Sequence, residues 1–165
     1  TVDAIREVPG ARLHLIGTLH SNKINPALAC LYAIESLDSP VFAAKIDARA
    51  TGPFPVFVEV NVSGEATKHG CAPADVARLI DTVEASAHLQ LSGFMTVGLN
   101  SPVEADVRAA YAQLRDIRDE AAVRLSIEEA ELALSMGMSR DLEWAIAEGA
   151  TIVRLGTAIF GARRL

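Results

Sequence analysis

The chain has 165 residues, 50% of them hydrophobic and 22% charged, with 15 basic against 21 acidic side chains and a formal charge of −6. That size and balance predict one soluble domain over residues 1–165, and the scattered Lys and Arg give no electrostatic footprint for nucleic acid or anionic lipid. No apolar run approaches the roughly 18–20 residues of a membrane span, and Thr1 to Arg6 lacks the basic-then-apolar layout of a signal peptide, so a cytoplasmic protein is expected.

Apolar, β-branched runs predict strands at Arg12 to Ile16, Tyr32 to Ser36, Pro55 to Val62, Leu89 to Val97, Glu131 to Ser135 and Thr151 to Leu155. Helical periodicity fills the intervals, at Asn25 to Cys30, Ser39 to Ala50, Pro73 to Ser86, Val103 to Leu125 and Arg140 to Glu148. In the third of these, Pro73 stands at a helix start and Val76, Leu79, Ile80 and Val83 form one stripe. Ser139 reads as the N-cap of the last predicted helix, which Gly149 stops. The near-continuous apolar run Val56 to Val62 suits a parallel strand covered on both faces. Strict β/α alternation predicts a parallel α/β fold. A (β/α)₈ barrel with about six units present and an open doubly wound sheet both fit.

In either architecture ligands bind at the carboxyl ends of the strands. The last strand runs into Gly156-Thr157-Ala158, where glycine admits a ligand close to the backbone, a helix start offers N–H groups and the Thr157 hydroxyl adds a donor. That pattern describes a phosphate cup. Ser139 is a second anion contact if it is not simply a cap. Arg154 interrupts an apolar strand, so its guanidinium either faces a ligand or pairs with a carboxylate such as Glu59. His14, His69 and His88 show no metal-ligand spacing, and Cys30 and Cys71 read as packing thiols. Trp144, Met136 and Met138 read as packing near the site. No G-x-S-x-G, Walker A or G-x-G-x-x-G motif is present.

Five segments, 14–23, 60–70, 91–95, 134–143 and 153–161, together resemble the pyridoxal phosphate homeostasis protein family; Ser135-Met136-Gly137-Met138-Ser139 and Arg154-x-Gly156-Thr157-x-Ile159-Phe160-Gly161 are the diagnostic pair. The resemblance implies a barrel similar to the N-terminal domain of alanine racemase, binding pyridoxal 5′-phosphate (PLP) without established catalytic turnover. It implies that Gly156, Thr157 and Ser139 hold the phosphate, that Arg154 faces the pyridine nitrogen, and that Asn61 and Met95 neighbour the ring.

The resemblance also implies a Schiff-base lysine on a first barrel strand. The sequence opens in what corresponds to the helix before the third strand, so the first two strands are expected to be missing, by truncation or in a natural short form. Lys23, Lys45 and Lys68 do not match the Schiff-base position, Lys68 lying in a mobile-looking loop, and noncovalent PLP binding is expected. PLP-dependent apoenzymes are expected partners, with self-association through unpaired barrel edges. The rivals are a PLP-dependent, racemase-like enzyme, which calls for a lysine and a tyrosine base about the ring while Tyr32 lies early in a strand and Tyr111 in a helix, and a phosphate-ligand barrel without PLP.

Overall fold

A computed structural model describes residues 7–161. The Thr1 to Arg6 segment, read above for leader character, lies outside the described residues. In chain order the elements are β1 (His14–Leu15), α1 (Ile24–Leu28), β2 (Ala33–Leu37), α2 (Pro40–Asp47), β3 (Phe54–Glu59), α3 (Val76–Glu84), β4 (Leu89–Met95), α4 (Glu104–Leu125), β5 (Ala133–Met138), α5 (Leu142–Ala147), β6 (Ile152–Arg154) and α6 (Thr157–Phe160). All six strands pair in parallel, each with its sequence neighbour, in the order β1-β2-β3-β4-β5-β6. A doubly wound sheet reverses its strand order at a switch point, so this order overturns that alternative.

The sheet is curled. Ser135 on β5 donates its hydroxyl proton to Glu35 on β2 over 2.5 Å. In a flat sheet, strands three places apart stand roughly 14 Å from each other at ~4.8 Å per step. Direct contact therefore requires the sheet to close toward itself, as six units of a barrel do. The helix-facing side carries Ile34, Val56, Val58, Phe94, Leu134 and Met136, all buried with the α3 stripe Val76, Leu79, Ile80 and Val83. The concave side holds a smaller cluster of Ala33, Phe57 and Met95 with Ala133 and Ile152 against it. Each fully buried side chain of this size contributes about 1.5–3 kcal/mol, which is how covering both faces secures the strands.

A bulge helps the curl. Val56 pairs with Leu91 but Phe57 pairs with Gly93, so Ser92 is skipped on β4, and a bulge of this kind bends and twists its strand. Gly93 has φ +154, and a Cβ there would lie 2.1 Å from the Ala133 carbonyl oxygen. Only glycine lets β4 and β5 approach this closely.

Several elements are shorter than expected, β3 among them ending at Glu59 and not Val62, and two differences bear on the site. Strand β5 runs on to Met138, and α5 takes Asp141, not Ser139, as its N-cap. The cause is local: the Met138 N–H donates to Asp141 Oδ1 over 2.7 Å, and this turn delays the first helical residue to Leu142.

Candidate functional site

Beyond the carboxyl ends of β4, β5 and β6 lies a cavity of about 590 Å³, within the usual range for small-molecule sites. Its walls are the Val97–Pro102 segment, the Met138–Asp141 turn, Trp144, Val107 and the β6–α6 junction, and Arg154, Ser139, Gly156 and Thr157 all line it. Four residues singled out at three separate points of the sequence thus face one space.

Burial drives the Arg154 pKa down, while Glu35, Tyr111, Asp141 and Glu59 oppose that shift. The guanidinium stays charged, because its ordinary pKa is so high. Its Nη1 donates to Ser135 Oγ over 2.9 Å and its Nη2 to the Thr96 carbonyl over 2.6 Å. The expected alternative, an ion pair with Glu59, is not formed; a hydroxyl and a carbonyl hold Arg154 instead. Ser135 passes the contact on to Glu35, whose other oxygen lies 2.6 Å from His14 Nδ1. This chain of side chains across the concave face orients the guanidinium while leaving three of its five N–H groups without a partner among the described residues.

Ser139 is not a cap, and its hydroxyl makes no hydrogen bond with the described residues while it lines the cavity. Thr157 begins α6, whose first turn leaves backbone N–H groups without intrahelical acceptors. Gly137 supports the turn below: at φ +90, a Cβ there would meet the Ala145 Cβ at 2.4 Å, so glycine lets β5 pass tightly under α5. Asp141 Oδ2 accepts the Tyr111 hydroxyl proton over 2.8 Å, and burial first, then this bond, raises the Tyr111 pKa.

Asn61 does not line the cavity. Its amide nitrogen donates to the carbonyls of Glu65 and Lys68, and its Oδ1 accepts from Ser63 Oγ and the Gly64 N–H. It builds the loop that carries Lys68. That loop is anchored, contrary to the mobile loop expected: Lys68 Nζ donates to Glu65 Oε1 over 2.6 Å and to the Gly98 carbonyl over 2.7 Å, at the cavity wall. Met95 is fully buried on the concave face. Of the remaining packing residues, Met138 and Trp144 line the cavity while Met136 is in the core. Glu35 was not singled out from the sequence, although it shares with Arg154 the signal of a charge inside an apolar strand, and Ser135 and Thr96 carried no predicted role as partners of Arg154.

Glu59 has a different environment. Burial raises its pKa to about 7, helped by Asp38 and opposed by His69 and Arg154. An unfolded glutamate loses its proton near 4.5, so between there and about 7 the folded chain binds more protons. Its contribution to stability therefore falls as pH rises through that window. The expected result is that Glu59→Gln stabilises the chain more at pH 8 than at pH 5; thermal melts giving the same gain at both would contradict this.

The alanine racemase N-terminal domain family model matches residues 3–164. The chain belongs to that family. Within it, the chain is similar to the pyridoxal phosphate homeostasis protein of Pseudomonas aeruginosa, 42% identical over 153 residues covering 91% of this chain and 64% of that protein. It is similar also to the PLP-bound structure of PipY from Synechococcus elongatus, at 30% identity and a TM-score of 0.82, covering 96% of this chain and 74% of that one. An alanine racemase from Clostridium difficile, 17% identical with a TM-score of 0.71, shares the fold over 98% of this chain and 43% of that one. The chain spans 64%, 67% and 60% of the lengths of the Pseudomonas, Aquifex and mouse relatives. No helix among the described residues is long and apolar enough to cross a membrane.

Proposed function

We propose that residues 1–165 form a PLP-binding domain that takes part in intracellular PLP homeostasis in the cytoplasm, holding the cofactor noncovalently and without catalytic turnover. The observation carrying this reading is that the unspent Ser139 hydroxyl, the start of α6 and the incompletely satisfied Arg154 guanidinium border one cavity. PLP-bound PipY and the relatives named for PLP homeostasis support it.

The residues fit the group. Ser139, Gly156 and Thr157 offer hydroxyl and backbone donors for the phosphate, and Arg154 offers N–H groups to the ring nitrogen. Asn61 acts through the loop it builds, and Met95 through packing on the concave face. When bound, PLP supplies an aldehyde and an electron-accepting ring. A permanently charged arginine disfavours protonation of that ring nitrogen, which weakens carbanion chemistry and suits a carrier. Lys68 Nζ is engaged by Glu65 and the Gly98 carbonyl, so it is poorly placed to act as a nucleophile. Tyr111, donating to Asp141 with a raised pKa, is a poor base for the racemase-like alternative. PLP-dependent apoenzymes are the recipients in this reading. Self-association runs through β1 and β6, each of which pairs with one strand among the described residues, and a monodisperse monomer in sedimentation would remove that element.

Calorimetry with PLP and with pyridoxal, which lacks the phosphate, tests the cup. PLP is expected to bind at least about tenfold more tightly, from one or more charge-assisted hydrogen bonds, and Ser139→Ala is expected to narrow the gap. Equal binding of the two would refute the phosphate assignment, and inorganic phosphate binding as tightly as PLP would favour a phosphate-ligand barrel.

A further inference from the structure

On the other side of the sheet's carboxyl edge, where β1, β2 and β3 end, lies a second pocket of about 180 Å³, roughly six water volumes at ~30 Å³ each. It shares no lining residue with the cavity around Arg154. Glu59 lines it, and this residue is only 4% exposed. Its carboxylate makes no hydrogen bond with the described residues, yet every fully enclosed side-chain nitrogen or oxygen among them has a partner. The Glu59 oxygens therefore open into the pocket. Asp38 lines the same space, likewise without a hydrogen bond among the described residues, and the nearby Ser36 hydroxyl is spent on the Gly17 carbonyl.

Thr18 and His69 also line this space, but among the described residues neither donates a hydrogen bond to Glu59 or Asp38, and two carboxyl groups left so call for a donor-rich cation. A metal ion is a poor match, since among the described residues no three His, Cys, Asp or Glu side chains are grouped to hold one. Leu19 and Phe42 complete the wall with apolar surface, which suits a short hydrocarbon. We infer that this pocket is a second binding site, for a small primary alkylammonium ion, with its nitrogen on Glu59 and Asp38 and its carbon chain against Leu19 and Phe42. It is independent of the PLP reading, because neither the residues nor the ligand chemistry are shared.

The site has a built-in pH dependence. The charges that act on Glu59 are those of Asp38 at the end of β2, His69 in the loop after β3 and, from the neighbouring cavity, Arg154 on β6. Cys71 beside them is neutral, because burial pushes its thiol up to about 12. The cation ionises Glu59 and the carboxyl proton leaves to solvent. With that group titrating near 7, affinity is about tenfold tighter at pH 8 than at pH 6.

Calorimetric titration of the chain with n-butylammonium chloride at constant ionic strength, at pH 6 and pH 8, tests this. Saturable binding is expected, about tenfold tighter at pH 8, lost in Glu59→Gln and weakened in Asp38→Asn, with no competition from tetramethylammonium, which has no N–H donor. Thermal melts verify that each variant is folded; if Glu59→Gln is not, Asp38→Asn decides. Absence of saturation at both pH values, unchanged affinity in a folded variant, or displacement by equimolar potassium chloride would each overturn the inference, the last by identifying an inorganic cation site.

Discussion

Arg154→Ala is expected to weaken PLP by about thirtyfold while changing the affinity for inorganic phosphate by less than about threefold. A hydrogen bond from a charged donor contributes about 1.5–3 kcal/mol, and each 1.4 kcal/mol is tenfold in affinity. The selectivity follows from the proposed role: Arg154 sits on β6 before the Gly156–Thr157 turn, fixed by Ser135 and the Thr96 carbonyl, and in that reading its free N–H groups are offered to the ring and not to the phosphate. Parallel titrations with the two ligands measure it. Equal losses would remove the ring-nitrogen role and make Arg154 a general anion contact.

The second large effect is on stability. Glu35 is 1% exposed and joins His14 on β1, Ser135 on β5 and, through Ser135, Arg154 on β6. Glu35→Ala leaves the Ser135 hydroxyl and the His14 imidazole without their acceptor, and it removes the foremost negative charge opposing the desolvation of Arg154. Breaking a buried charged network of this kind costs about 3–5 kcal/mol, which for a domain of this size lowers the melting temperature by about 10 °C. Glu35→Gln, which keeps one acceptor oxygen, is expected to lose less. A loss below about 1 kcal/mol in Glu35→Ala would show that Ser135 and Arg154 are not held by this chain.

The parallel α/β order was legible because each strand and helix carries its own periodicity, as the α3 stripe Val76, Leu79, Ile80 and Val83 illustrates. The curl was not, since it depends on Glu35 meeting Ser135 across 100 residues, and on the skipped Ser92 beside Gly93, neither of which is a local pattern. At the site, Arg154 announced itself as a charge in an apolar strand. Glu35 and Glu59 carry the same mark within β2 and β3, but a single strand does not reveal which charge answers which. Ser139 and Asp141 are both competent caps two positions apart; the Met138 N–H bond to Asp141 decides between them and frees Ser139 for the cavity. Lys68 was legible as a loop residue and Asn61 only as part of the predicted strand Pro55 to Val62; their roles, building the loop and anchoring it to Gly98, exist only once the loop folds back on the sheet.

The central claim, noncovalent PLP in the cavity beside Arg154, meets its most direct test in one experiment. The folded chain is saturated with PLP, treated with borohydride, and its intact mass measured under denaturing conditions. Saturable binding with an unmodified protein mass is predicted. A stable adduct on one lysine, or no binding by the folded chain, would contradict the account.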